Sequence, residues 1–547
     1  MNKDIKLVFE DGNEMSATYG ITVREVIKKL NDPSLIALRI NGSAVSADFE
    51  IEEDSYVNYI SANDKLGEKI YFKGLEFVYI NAIKDVLGPS AVVTVKHSLD
   101  QGLYTEIDSK KKVNAVVINS IKKRMKEICE ADLDFKAVNV SRKDAYDYVK
   151  NNGEYEKELN LTYMTNDSVT MYELNGEYNF FYYIMPPSTK ILSRFNLTFI
   201  APKGILLSYP IDGTIPKYVP APQVLASFKE NESRMMALGV KYTGDVNKLI
   251  VENDIDEFIQ LNEIVYNQYL EQLAYNIFKK KTIKAIFISG PSSSGKTTTS
   301  MKLALYLRGF GLDTLLISTD DYFLNRADSP KKPDGSYEFE TVEALDIKLF
   351  NTHIKKLLNG DEVVMPYFNF ITGEKEFKGK PISLKQNQIL IVEGLHAMSE
   401  KLNGAIDKKN KLKVYISPFM TLALDRHNHI QTTDVRFLRR MVRDYNHRGY
   451  SAQTTLTNWM GMRESEKKYV YPYQREADVI INTSLSYEIG VLKTYAEPLL
   501  YSISKDSEYY EEAIRILNFL HYFINIPSEI VPGKSVLREF IGNSYFE

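Results

Sequence analysis

Residues 287–300, FISGPSSSGKTTTS, run from apolar side chains through a glycine and a serine-rich turn to a Gly-Lys-Thr that can open a helix. Gly290, Gly295, Lys296 and Thr297 keep the spacing G-x-x-x-x-G-K-[ST] of a loop that cradles phosphate. Glycines let the backbone curl so that successive N–H groups and the helix N-terminus face an anion; the cradle spans Gly290, Ser292, Ser293, Ser294, Gly295, Lys296, Thr297 and Thr298. Lys296 adds a mobile charge for the outer phosphates, and the Thr297 hydroxyl can ligate Mg2+. The flanks suit the motif. KAIFIS reads as a buried strand, and TTTSMKLALYLRGFG as a helix ended by Gly309 and Gly311.

A phosphate loop alone does not separate a kinase from an ATPase or a GTPase. Two apolar runs narrow the choice. DTLLISTDDYF ends in Asp320 and Asp321, and QILIVEG ends in Glu393 and Gly394, both where an open α/β sheet places its ligands. A carboxylate at Asp320 could take a proton from a hydroxyl or hold a metal, and Glu393 fits a carboxylate that assists Mg2+. RFLRRMVRD then sets Arg436, Arg439, Arg440 and Arg443 at helical spacing, with Arg448 following in HRGYSA. Arginine suits bidentate contact with phosphate oxygens. His427 and His429 do not read as a metal pair, because residues two apart on a helix point about 200° apart. On a strand they would share a face, but no third ligand is evident. Trp459 reads as a packing anchor and His97 as structural.

These residues need a framework, and 547 residues suggest three or four domains. With a net charge of −4 there is no global basic field for nucleic acid. The single cysteine, Cys129, rules out an internal disulfide and suits a reducing compartment. The start of the sequence lacks a signal-peptide core, and no apolar run approaches the ~18 residues of a membrane helix, so a cytoplasmic location without a membrane partner is expected. Residues 1–62 alternate strands and turns about one helix, TVREVIKKLND, with Thr22 as its N-cap and Asp11-Gly12 as a hairpin turn. The aromatic run FFYYIMPPS reads as core followed by a proline turn, and the prolines of IDGTIPKYVPAPQ mark a boundary. The long amphipathic pattern IDEFIQLNEIVYNQYLEQLAYNIFKK reads as a structural connector.

The ββαββ order of residues 1–62 resembles a TGS domain, a β-grasp module. Residues 63–225 resemble the second additional domain of threonyl-tRNA synthetase. That family's H-x-x-x-H pair would fall on Lys73 and Phe77, so its metal and editing chemistry are not carried over. After a helical connector at 226–280, residues 281–485 resemble the uridine kinase family of P-loop kinases, and 486–547 form a helical extension. STDDYF matches that family's S-x-D-x-[FY]-[FY], RRMVRDYNHRG its arginine lid, and YPYQREADVII its closing strand. The order of modules is similar to that of TGS-domain-containing nucleoside kinases. The resemblance implies a multidomain α/β chain whose kinase domain has a parallel sheet flanked by helices. It implies ATP with Mg2+, the metal held by Thr297, Asp320 and Glu393, and Lys296, Arg439 and Arg443 beside Asp320 and Glu393 in catalysis. A small-molecule substrate, a ribonucleoside accepting phosphate at its 5′-hydroxyl, would meet Asp320, Tyr322, Glu340, Phe368, Arg436 and Arg448; for Tyr337 a sugar-binding and a core role both fit. A homo-oligomer also fits the resemblance.

Two departures bear on the acceptor. In MPYFNFITGEK, Gly373 stands where the family has a base-reading histidine, and Phe368 where it has a tyrosine. The lid's R-G-R has become Arg448-Gly449-Tyr450. A pyrimidine would lack partners for its polar edge. A kinase of a non-nucleoside alcohol, related to those for pantothenate or ribulose phosphate, is therefore an alternative. An RNA-linked P-loop ATPase, with the N-terminal modules on tRNA or ribosomal RNA, is another. Its basic runs, DSKKKVN and SIKKRMKE, are short for a surface that tracks phosphates.

Overall fold

The computed structural model describes residues 4–99, 102–333 and 335–546. Near the N-terminus, Asp4–Phe9 and Glu14–Thr18 pair antiparallel across a turn at Gly12, and the helix Val23–Leu30 follows. Thr22 caps that helix reciprocally: its Oγ1 accepts the Glu25 N–H at 3.3 Å while Glu25 Oε2 accepts the Thr22 N–H at 2.9 Å. The five-stranded sheet runs in the order Glu14–Thr18, Asp4–Phe9, Ser55–Ser61, Leu35–Ile40, Ser43–Val45, with Asp4–Phe9 and Ser55–Ser61 parallel. Leu7, Val23, Val26, Leu38 and Val57 fill the space between helix and sheet.

The helix Lys65–Leu87 then packs on an antiparallel sheet of order Asn196–Ile200, Gly204–Ser208, Gly102–Asp108, Val92–Leu99. Lys73 is buried in an ion pair with Glu76 at 2.8 Å, and Phe77 lies between Phe135 and Phe181. Neither position offers a metal ligand. Phe180, Phe181 and Met185 of the aromatic run are buried.

Residues 421–431, from the later part of the chain, reach into this second module. Asn160 Nδ2 donates to Leu424 O at 2.7 Å, Val95 N to Arg426 O at 2.8 Å, and Asn428 Nδ2 to Phe180 O at 3.0 Å. His427 is buried here beside Asn179, and His97 lies flat on Phe228 with ring centroids 3.7 Å apart. Burial pushes His97 and His429 down to about 3, so both are neutral packing residues. Among the described residues no three His, Cys, Asp or Glu side chains converge on a metal position. No helix among them is long and apolar enough to cross a membrane.

Five parallel strands form the remaining large sheet, in the order Asp313–Ser318, Gln388–Glu393, Ala285–Ser289, Lys411–Ser417, Val479–Asn482. The strand that leads into the phosphate loop is therefore central. Its side chains alternate between two buried faces: Ile286 and Ile288 enter one core, Ala285 and Phe287 the other. The long helix Ile255–Lys279 belongs to the first of these cores through Ile259, Leu270 and Ala274, and its Tyr266 hydroxyl meets Thr299 Oγ1 at 2.7 Å. It packs as a layer on the phosphate-loop sheet. The short helix Thr243–Val251, which hydrophobic periodicity does not announce, packs beside it. Trp459 sits between Phe437 and the Arg436 guanidinium as a packing anchor.

The C-terminal helices Glu488–Tyr501, Tyr510–Leu520 and Arg538–Ile541 join the same core. The middle one also touches the first module. Arg39 Nε donates to Glu511 at 3.0 Å and Ala44 N at 2.7 Å. Lys69 pairs with Glu512 at 3.3 Å, and Arg515 bridges Glu512 at 2.8 Å to Asp434 at 2.7 Å. Arg515→Ala strands Asp434 and leaves Glu512 with Lys69 alone. The expected cost is about 3 kcal/mol, read as a lower urea midpoint for the full chain.

Candidate active site

The chain leaves Ala285–Ser289 at Gly290 and re-enters helix at Lys296–Gly309. Between them Ser293 and Gly295 take left-handed conformations, with φ of 59° and 83°. Gly295 is required twice over, because a Cβ there would fall 2.5 Å from Val536 Cγ2. Two buried hydroxyls, Ser293 Oγ and Ser294 Oγ, have no protein partner. Lys296 folds back along the loop, donating to Gly290 O at 3.0 Å and Pro291 O at 3.1 Å. Thr297 is exposed at the helix start.

Asp320 and Glu393 stand at the C-terminal ends of two neighbouring strands, in line with this loop. Solvent reaches Asp320 through the cleft mouth, but the surrounding protein still raises its pKa, against the opposing charges of Lys296, Arg448 and Arg443. Glu393 is pushed up to about 7 by burial first and by Asp320 second, with Lys296 pulling the other way and Glu539 adding a little. Ser318 Oγ donates to Glu393 Oε1 at 3.1 Å. Glu340 is also raised by burial, with Arg440 opposing, and its carbonyl accepts the His396 Nε2–H at 2.9 Å. The charges of Asp320 and Lys296 thus reach both Glu393 and Glu340 in one cleft.

The arginine helix, Thr432–Arg448, divides its residues between two tasks. Arg443 and Arg448 share Asp444, at 3.0 and 3.3 Å, and their charges reach Asp320. Arg439 does not face the cleft. It is fully buried, donates to Glu488 Oε2 at 2.6 Å and Thr483 O at 2.7 Å, and lies against Phe540. Arg436 is likewise buried, paired with Glu466 and donating from Nε to Ser292 O at 2.9 Å. The catalytic expectation for Arg439 and the substrate-binding one for Arg436 are corrected: burial and matched carboxylates make both structural. Tyr322 is corrected too. It has no exposed surface, packs edge-on against Phe350 and meets His353 through its hydroxyl at 3.1 Å.

Phe368 lies between Phe323 and Phe370 beneath a hairpin, 7% exposed. Gly373 turns that hairpin at φ 74°, and a Cβ there would crowd the Arg326 side chain at 3.0 Å. Arg326 instead fills the space, donating its N–H to Gly373 O at 2.8 Å and Nη2 to Phe370 O at 3.3 Å.

Arg440, one of the four arginines at helical spacing, donates to Ser292 Oγ at 3.0 Å and opposes Glu340. Sequence reasoning missed two residues. Glu466 accepts the Ser292 N–H at 2.8 Å, and Glu539 accepts the Thr298 N–H at 3.1 Å. Both of these cradle donors are therefore engaged by the chain itself. Neither glutamate had a local signal, because each meets the loop from a distant element.

Thr297, Asp320 and Glu393 offer hard oxygen donors, which suit Mg2+ rather than a thiolate-seeking metal. Glu393 is raised by burial and by the neighbouring Asp320 charge, so a divalent cation between the two carboxylates would meet a favourable field, and the donor set fits the ion.

A phosphate loop on the central strand of a parallel sheet, strand-end carboxylates and an arginine helix define a P-loop kinase-like domain. Residues 285–489 match the model of the phosphoribulokinase/uridine kinase family. A uridine kinase from Borrelia turicatae is 30% identical over 208 residues, covering 36% of this chain and 86% of its own length. The chain belongs to the phosphoribulokinase/uridine kinase family. A threonine–tRNA ligase from Desulforamulus reducens is 25% identical over 178 residues, 32% of this chain and 28% of the ligase. A Bacillus stearothermophilus structure described as a possible uridine kinase is 17% identical, covers 39% of this chain and 97% of its own, and superposes with a TM-score of 0.27.

Two outcomes test this description. Arg439→Ala leaves Glu488 buried and unpaired, at an expected cost of about 3–5 kcal/mol, whereas Arg443→Ala is expected to keep the parent's thermal midpoint. Glu393 holds its proton more tightly in the fold than in the unfolded chain, so its contribution to stability is full below about 4.5 and is lost as the pH rises to about 7. Glu393→Gln should therefore match the parent in acid and exceed its melting temperature at pH 8. Added Mg2+ should narrow that gap by stabilising the parent more.

Proposed function

We propose that this chain is an ATP-dependent kinase that transfers a γ-phosphoryl group to the primary hydroxyl of a small molecule, most simply a ribonucleoside 5′-OH. The observation that carries the reading is the placement of Asp320 beside Glu393 at adjacent strand ends, within the field of Lys296 and the arginines. Asp320, its pKa raised by the cleft, accepts the proton of the acceptor hydroxyl. Residues 290–298 hold the polyphosphate through the backbone N–H groups that Glu466 does not occupy, and Lys296 leaves its carbonyl partners to follow the outer phosphates. Arg440, Arg443 and Arg448 offset the negative charge of the transferring group. Thr297, Glu393 and Asp320 would hold Mg2+, which when bound neutralises phosphate charge. Glu340 and the wall around Phe368 position the acceptor.

The hairpin turn at Gly373 favours a second acceptor class. With Arg326 occupying the space beside it, the pocket has an apolar wall and a guanidinium instead of a base-reading imidazole. A non-nucleoside alcohol fits that wall as a runner-up.

The test is Mg2+-dependent ATP consumption by the full chain with ribonucleosides, deoxyribonucleosides, pantothenate and ribulose 5-phosphate, beside Asp320→Asn. Turnover with one acceptor, lowered at least about 10²-fold in the variant, is expected. ATP hydrolysis that ignores every acceptor and rises with tRNA would replace the kinase reading by an RNA-linked one.

A further inference from the structure

The helix Lys296–Gly309 opens with the N–H groups of Lys296, Thr297 and Thr298 facing out of the helix, since Thr299 N already bonds Gly295 O at 3.1 Å. The Thr298 N–H is engaged by Glu539 Oε2 at 3.1 Å, from a segment 241 residues further along the chain. That segment is fastened beside the loop at several points. Val536 takes the room over Gly295, and Lys302 Nζ donates to Lys534 O at 2.9 Å. Ser535 Oγ meets the Tyr487 hydroxyl at 3.2 Å, and Phe540 lies against the buried Arg439.

A carboxylate on a helix N-terminus is the same kind of ligand as a phosphate oxygen. Glu539 and a polyphosphate thus compete for one donor at one end of one dipole. Glu466 on the neighbouring Ser292 N–H is a different case, since it is fully buried and paired with Arg436. Glu539 is only half-buried, and the helix that carries it is four residues long. Val536, Leu537 and Phe540 around it are fully buried and hold the segment beside the loop, while the Glu539 carboxylate itself reaches solvent and can leave the Thr298 N–H.

We infer that segment 534–541 is an autoinhibitory latch, with Glu539 holding the place of a phosphate oxygen on the Thr298 N–H until nucleotide displaces it. The inference rests on the nucleotide reading of the loop given above. Opening requires the Glu539 side chain to leave the Thr298 N–H, which removes one tie between the last short helix and the loop while Val536, Leu537 and Phe540 stay buried.

The experiment measures binding of a fluorescent ATP analogue with Mg2+ to the full chain, to Glu539→Gln and to Lys296→Ala. Glu539→Gln is expected to bind at least about tenfold more tightly, the worth of a charge-assisted hydrogen bond, and Lys296→Ala to lose binding. Hydrogen exchange on the unmodified chain gives a readout that needs no variant. On addition of the analogue, peptides spanning 534–546 should exchange faster while those spanning 290–299 become protected. Unchanged affinity in Glu539→Gln, with no faster exchange in the tail, would overturn the latch and leave the nucleotide site standing. Absence of binding to parent and Glu539→Gln alike would overturn both readings.

Discussion

Arg436 and Glu466 meet where no water reaches, and between them they grip both the N–H and the C=O of Ser292. A phosphate cradle works only if its amides are already aimed before an anion arrives, because reorienting them would consume the binding energy. Here the aiming is done by a buried ion pair drawn from two helices, Thr432–Arg448 and Ala452–Tyr469, that close over the loop. A second pair, Arg439 with Glu488, fastens Thr483, whose hydroxyl donates to Ser294 O at 2.6 Å. Such pairs add little net stability over an apolar core, but losing one partner leaves a buried charge. The loop's geometry is therefore tied to the register of the arginine helix.

The same constraint divides the arginines between structure and chemistry. Five cationic side chains come from one helix, yet only those near its C-terminal end, around Asp444, project their field onto Asp320. Asp444 holds Arg440, Arg443 and Arg448 together at the cleft edge, where their mutual repulsion would otherwise spread them.

Local patterns showed much of this in the sequence. The loop, the two strand ends and the Thr22 cap each depend on neighbours within a few residues, and each sits where its spacing requires. What could not be read depends on tertiary facing. Arg439 and Arg443 are four apart on one helix, and only the position of Glu488 on another element decides which becomes structural. Tyr322 follows the two aspartates directly, but the turn Thr319–Tyr322 points its ring into the core behind the strand. The helix Ile255–Lys279 resembles a connector because its apolar stripe is long, and a stripe does not say which sheet it covers.

The contact of Arg39 and Ala44 with Glu511 brings the first module against one of the last helices, so the chain closes on itself. A ribosome releases these partners far apart in time: the first module emerges early, while Glu511 and Arg515 follow only after more than 450 further residues have been made. Until then the ionic seam from Arg39 through Arg515 to Asp434 has no far side, and the arginine helix lacks the neighbour that fixes its first turn. Domains generally fold as units in order of synthesis. In this chain the phosphate loop gains its final setting only once Val536 and Glu539 have been made, so a product truncated before them would carry the motif without the geometry.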